Sequence, residues 1–213
     1  MLKHSFSNIK SLSLEVGIPC VMMISNDTTE SFAEVDWNPQ MTQHIDVKIH
    51  EDGPRAMVKI RDLCHGNNRH ISCNLTIHLP QIHLEELFIK SVCGDISVNT
   101  IHTDRLAVKN IEGRLNISRK STARNIKMRL VNVESVFPIG KKTETAEIES
   151  VNGKTFITAE DFEGGTEVNA VGGKVVINKT VYHSGHFVTE MSRQNKIRCN
   201  IVSGELCIEG LTV

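Results

Sequence analysis

Along the chain a short alternating apolar stretch, a glycine and a second alternating stretch recur about every twenty residues, centred on Gly94, Gly113, Gly153, Gly173 and Gly204. Five residues before each glycine stand Ile89, Val108, Ile148, Val168 and Cys199. Two residues before it, at the corner, stand Val92, Ile111, Val151, Val171 and Val202, all β-branched. Two and four residues after it come Ile96/Val98, Leu115/Ile117, Thr155/Ile157, Val175/Ile177 and Leu206/Ile208. The interval from Gly113 to Gly153 is twice the repeat, and a sixth unit fits there. It has Ile126, Met128, Val131 and Phe137 in inward slots and Val133 in place of the glycine. Valine disfavours positive φ, so that turn is expected to differ from its neighbours. The last interval is 31 residues, and its excess falls near 178–195.

Alternation with period two is the signature of half-buried strands. One such unit cannot bury its apolar face alone, whereas stacked units bury a continuous column with rungs about 4.8 Å apart. The pattern predicts an all-β fold, a parallel β-solenoid or β-helix-like stack of ~20-residue repeats. The competing architecture is a two-sheet antiparallel sandwich. Residues 1–80 leave the register. Their alternating stretches, such as Ile45–Ile49, Met57–Ile60 and Ile71–Ile77, are separated by polar turns. They are expected to be N-terminal capping strands over the first rung, since terminal repeats need a cap. No linker or composition shift divides the chain, so 1–213 is taken as one domain, with six rungs over 81–213 and an insertion near 178–195.

Composition agrees. There are 22 Ile, 20 Val and 15 Thr against 7 Ala and 13 Leu, and β-branched side chains suit pleated surfaces better than helices. Lys and Arg number 24 against 25 Asp and Glu, a balance that argues against nucleic-acid binding through a basic surface. No run reaches the roughly 18 apolar residues of a membrane span. The apolar stretch Val16–Ile24 follows Glu15 and lacks a cleavage site, so it is expected to be a core strand. As written, the sequence points to a cytoplasmic location, and to the envelope if the natural chain is longer. Six cysteines, at 20, 64, 73, 93, 199 and 207, lack framework spacing and are expected to be reduced packing residues.

Candidate chemistry is sparse. Cys64, His65, His70, Cys73, His78 and His83 include zinc-ligand types, but alternation turns His70 and His78 away from Cys73. No metal or other cofactor is therefore expected. Gly140-Lys-Lys-Thr143 lacks the earlier glycine and the following helix of a phosphate loop. Asp95, Glu134 and Glu205 share the slot after the glycine, interleaved with Arg114, Lys154 and Lys174, which marks a solvated face rather than an acid/base pair. Lys90, Lys109 and Arg129 form a stack of cations continued by Glu149. No catalytic residue is expected.

Ile89-Lys-Ser-Val-Cys-Gly-Asp-Ile-Ser-Val98, Val108-Lys-Asn-Ile-Glu-Gly-Arg-Leu-Asn-Ile117, Ile148-Glu-Ser-Val-Asn-Gly-Lys154 and Ile201-Val-Ser-Gly-Glu-Leu-Cys-Ile208, with Leu75-Thr-Ile-His-Leu-Pro80 ahead of them, carry a resemblance. The chain resembles, over about 71–208, the bacterial adhesin-type family of β-strand-repeat proteins, a domain family of unknown function numbered 4097. The resemblance implies an all-β solenoid, often envelope-associated, and supplies no catalytic residues.

The slot three after the glycine reads Ser97, Asn116, Val136, Phe156, Val176, Cys207, so Val136, Phe156 and Val176 form an apolar contact patch on a face expected to be polar. The insertion around Tyr182–Phe187 could instead fold over it. The expected function is a non-catalytic interaction or scaffold module, binding a protein or a second copy of itself through that patch or through an open end after Ile208. The alternative is a carbohydrate-binding or carbohydrate-active β-helix protein. No nucleic-acid partner and no direct membrane insertion are expected.

Overall fold

Strict alternation of inward apolar and outward polar residues makes nearly every segment a strand. The computed structural model describes residues 1–26, 28–63, 71–189 and 194–211. Among them run β1 Leu2–Phe6, β2 Ser11–Val16, β3 Cys20–Ser25, β4 Ser31–Trp37, β5 Ile45–Asp52, β6 Arg55–Asp62, β7 Cys73–His78 and β8 His83–Val98. Then follow β9 His102–Ile117, β10 Thr122–Pro138, β11 Thr145–Ser150, β12 Gly153–Thr158, β13 Gly165–Ile177, β14 Thr180–Thr189, β15 Lys196–Ile201 and β16 Gly204–Glu209. A 3₁₀ turn, Pro39–His44, is capped by the Asn38 side chain.

The strands form a parallel β-solenoid. Each rung has two arms that meet at the corner, and the connectors close a third side with buried Ile101, Ile139 and Phe162. Register follows the glycine template. Gly94 pairs Gly113, Gly113 pairs Val133, and Gly153 pairs Gly204. A Cβ on Gly113 would lie 2.1 Å from the Gly94 carbonyl oxygen, so the rungs approach here more closely than a side chain permits. Val133 departs as expected. It does not share the positive φ of Gly94 (133°) and Gly113 (122°), and its side chain turns inward, 1% exposed. The inward column five before the glycine position, Ile89, Val108, Met128, Ile148, Cys199 and Val168, is sealed from solvent. Each fully buried aliphatic there contributes about 1.5–3 kcal/mol of transfer free energy.

Rung order differs from chain order at both ends. β12 pairs β16, and β16 pairs β13, so the last rung (β15–β16) sits between the rung of β11–β12 and that of β13. At the other end β2–β3 forms a rung between β8 and the rung of β6–β7. Residues 1–80, expected only to cap, thus contribute two parallel rungs of their own, and eight rungs are stacked in all among the described residues. The caps are antiparallel strands: β5 on β6, β4 on β7, and β14 on β13.

The expected open end after Ile208 is overturned, because Ile208 pairs with Ile157 on one side and Ile177 on the other. An exposed parallel rung would present a row of unpaired backbone groups. Here the chain lays β13 first, turns through Asn178 and Lys179 (both at positive φ) into β14, and then returns to fill the gap. Asn178 fastens the return: its side-chain amide donates to the Leu211 carbonyl at 2.7 Å and accepts from the amides of Gly210 and Leu211.

Candidate interaction surface

The outer face of the second arm is built from alternate residues, so each outward slot becomes a lane running along the stack. In spatial order the slot after the glycine reads Asp95, Arg114, Glu134, Lys154, Glu205, Lys174. Its charges alternate at every step. In chain order Lys154 and Lys174 would be neighbours, and the inserted rung places Glu205 between them. Lys174 Nζ lies 3.0 Å from Glu205 Oε1, Arg114 Nε lies 3.7 Å from Glu134 Oε2, and the Arg114 amide donates to Asp95 at 3.1 Å. On the first arm the insertion does the same for Lys127, Glu147, Arg198 and Glu167, with contacts of 3.2 Å (Lys127–Glu147) and 3.1 Å (Arg198–Glu167). Exposed pairs of this kind contribute only about 0–1 kcal/mol each. Their larger effect is to penalise any order of rungs that stacks like charges.

Two residues further along lies the predicted patch. Val136 pairs Phe156, but Phe156 and Val176 do not touch as neighbours, because Cys207 stands between them. Val181 of β14 extends the lane beyond Val176. The lane is therefore Val136, Phe156, Cys207, Val176, Val181, about 19 Å long at 4.8 Å per rung. Val136 and Val181 are 41% and 50% exposed, and the three between are half-buried. Burial, with Glu209 and Glu205 nearby, holds the Cys207 thiol above its ordinary range. The insertion does not fold over this lane. It forms β14 at the end of the stack, where Tyr182 and Phe187 pack together with centroids 4.6 Å apart and close the core.

The corner residues point outward as well. Val92, Ile111, Val151 and Val202 are 40–50% exposed and Val171 is 80% exposed, forming an apolar ridge along the corner. Sequence reasoning placed Val131 inward, but it is half-buried in this ridge. The missed signal was the uniform β-branching of a slot that alternation alone would have left polar. Between ridge and charge lane the stacked glycines leave an open groove of about 680 Å³, edged by Asn132, Asn152 and the charges from Glu134 to Lys174. The Asn152 side chain donates to Asn132 at 3.0 Å, and Ser203 donates to Asn152 at 3.3 Å.

The other candidate sites resolve differently. Lys90, Lys109 and Arg129 do stack in register, bounded by Glu15 and Glu149. Cys64, His65 and His70 lie outside the described residues. Cys73 faces inward, beside Cys20 of the adjacent rung. The hydrogen bond between the two thiols, with burial adding to it, holds Cys20 well above the usual thiol range. His78 faces the other way, stacked on Phe32 and 3.6 Å from Glu34. Among the described residues, no three His, Cys, Asp or Glu side chains gather into a metal-binding group. Gly140 to Thr143 is a connector turn, in which the Thr143 amide donates to the Gly140 carbonyl at 2.9 Å and a strand follows. Among the described residues, no helix is long and apolar enough to cross a membrane.

The fold is thus a parallel β-solenoid with antiparallel caps and lanes of exposed apolar and charged side chains. The family model of the Toastrack domain (domain of unknown function 4097) matches residues 24–209, and the chain belongs to that family. Among solved structures it is similar to a candidate cell adhesion protein from Clostridium sporogenes, at 16% identity with a TM-score of 0.58, covering 98% of this chain and 97% of that one. A candidate adhesin from Bacteroides fragilis aligns at 10% identity with a TM-score of 0.43, covering 97% and 96%. Among curated proteins none matches the sequence.

Proposed function

We propose that this chain is a non-catalytic, adhesin-like interaction module whose contact surface is the outer face of the second arm. The observation that carries the reading is the lane from Val136 to Val181, apolar on consecutive rungs where a solvated sheet face would be polar. Contiguous exposed apolar surface marks contacts in soluble proteins. The carboxylates Glu134 and Glu205 support a non-catalytic role, since each has cationic neighbours on the same lane rather than a second carboxyl in a contrasting environment. A protein partner fits the surface better than a sugar, because the lane is mostly aliphatic and Phe156 is its one ring. The test is saturable binding of labelled protein to intact bacterial cells, to immobilised fibronectin, laminin and collagen, and to a glycan array. Binding to cells or matrix protein that falls roughly tenfold or more in Phe156→Glu is expected. Binding confined to the glycan array would replace this reading with the carbohydrate one, and no saturable binding anywhere would overturn both.

A further inference from the structure

We propose that the partner of this face is a second copy of the same chain, docked about a two-fold axis that lies in the interface parallel to the strands. The proposal rests on the contact-surface reading above and names its occupant. An axis in that direction turns the stack upside down, so each lane meets its own counterpart read backwards. Such an interface is isologous, and the lane must be its own complement.

The charge lane meets that condition. Read from Asp95 to Lys174 it runs minus, plus, minus, plus, minus, plus, and read backwards it is the opposite sign at every position. The row restricts the axis to positions midway between rungs, and the apolar lane selects among them. An axis through the middle of a rung sets like against like throughout. An axis midway between the rung of Phe156 and that of Cys207 sets Lys154 against the partner's Glu205 and Glu134 against the partner's Lys174. The same operation brings Phe156 onto the partner's Cys207 and Val136 onto the partner's Val176, so the centre of the apolar lane is covered by apolar surface. Lys154 is also the one cation of the row with no ion pair of its own among the described residues, which leaves its charge for a partner. Sheet faces packed in this way lie about 10 Å apart, a distance these side chains span.

Charge swapping separates this arrangement from a purely internal role of the lane. Lys154→Glu places like charges across the interface twice, once on each side of the axis. Lys154→Glu combined with Glu205→Lys restores opposite charges across the interface. Within each copy, however, the double swap sets a carboxylate at position 154 beside Glu134 and an ammonium at position 205 beside Lys174. Association and intrachain stability are therefore expected to move in opposite directions.

The experiment is sedimentation equilibrium of the full chain over a dilution series at low and high salt, with urea unfolding of the same proteins. Wild type is expected to be a dimer that dissociates on dilution. Lys154→Glu is expected to raise the dissociation constant roughly tenfold or more, and the double swap to recover most of that loss while unfolding at lower urea. Lys154→Gln, which adds no repulsion, gives the same direction with a smaller effect and serves if Lys154→Glu folds poorly. A wild type that stays monomeric, a Lys154→Glu variant that dimerises as wild type does, or a double swap that associates no better than the single one would each overturn the second-copy partner. None of these would touch the loss of binding by Phe156→Glu, so failure of the second-copy partner is distinguishable from failure of the contact-surface reading.

Discussion

Four glycines separate the two reasons this solenoid uses the residue. At Gly140 an added Cβ meets nothing within 4 Å and φ is ordinary, so Gly140→Ala is expected to be neutral or stabilising by about 0.4–1 kcal/mol. At Gly53 the space is open but φ is +56°, which leaves only the conformational cost, about 1–3 kcal/mol. At Gly153 φ is not positive, but the new Cβ would lie 2.2 Å from the Val133 carbonyl oxygen. Ordinary contact begins near 3.4 Å, so the backbones must part by about 1.2 Å (3.4 − 2.2) and strain the ladder bonds that join the two rungs. Losing one or two of them, with their buried groups unpaired, costs roughly 2–4 kcal/mol.

Gly113 carries both terms, a φ of +122° and a 2.1 Å contact with the Gly94 oxygen, and Gly113→Ala is expected to cost about 4–6 kcal/mol, among the largest single-site losses. Urea unfolding of the four variants, followed by circular dichroism, measures the series. A Gly113→Ala variant within about 0.5 kcal/mol of Gly140→Ala, the spread of ordinary surface changes, would refute the close-approach account, and so would a Gly53→Ala cost larger than that of Gly153→Ala.

Three further outcomes are expected. Asn110 is 1% exposed with both amide atoms unpartnered, between Ser91 and Leu130 in register, so Asn110→Leu should raise stability by about 1–2 kcal/mol; destabilisation by both Asn110→Leu and Asn110→Val would show that the amide is satisfied, by an internal water for instance. The Lys59 ammonium, 2.9 Å away, holds the Glu15 carboxyl below its ordinary value of 4.5. The unfolded chain therefore takes up this proton more readily; the contribution is complete above about pH 4.5, fades as pH falls through the lower folded value, and should shrink in the pH profile of stability of Lys59→Met, where only the more distant Lys90 and Arg61 remain. Burial pushes the Cys199 thiol up to about 12, so iodoacetamide followed by mass spectrometry should modify Cys93 in the folded protein and reach Cys20, Cys73 and Cys199 only after unfolding. Labelling of Cys199 at native conditions would contradict the sealed core.

The sequence by itself determined the unit. Side-chain direction in a strand alternates with period two, and a chain that must turn a tight corner at each rung records it as a glycine. The inward column from Ile89 to Val168, the corner glycines and the exceptional Val133 were all legible for that reason. So was the apolar slot of Val136, Phe156 and Val176. Its outward continuation in the corner slot was not, because a β-branched residue beside a glycine reads equally well as core.

Stacking order was decided by the tertiary structure. Rungs cut to one template are interchangeable in the column as far as their inward residues go, and spacing along a chain does not say which rung lies on which. Glu205 between Lys154 and Lys174, and Arg198 between Glu147 and Glu167, discriminate between the possible orders, as like charges would otherwise stack. The long segment through β14 supplies the length to return, and the row of backbone groups that β13 would leave bare supplies the reason. The order of the rungs in turn made an alternating, self-complementary face out of charges that chain order leaves mismatched.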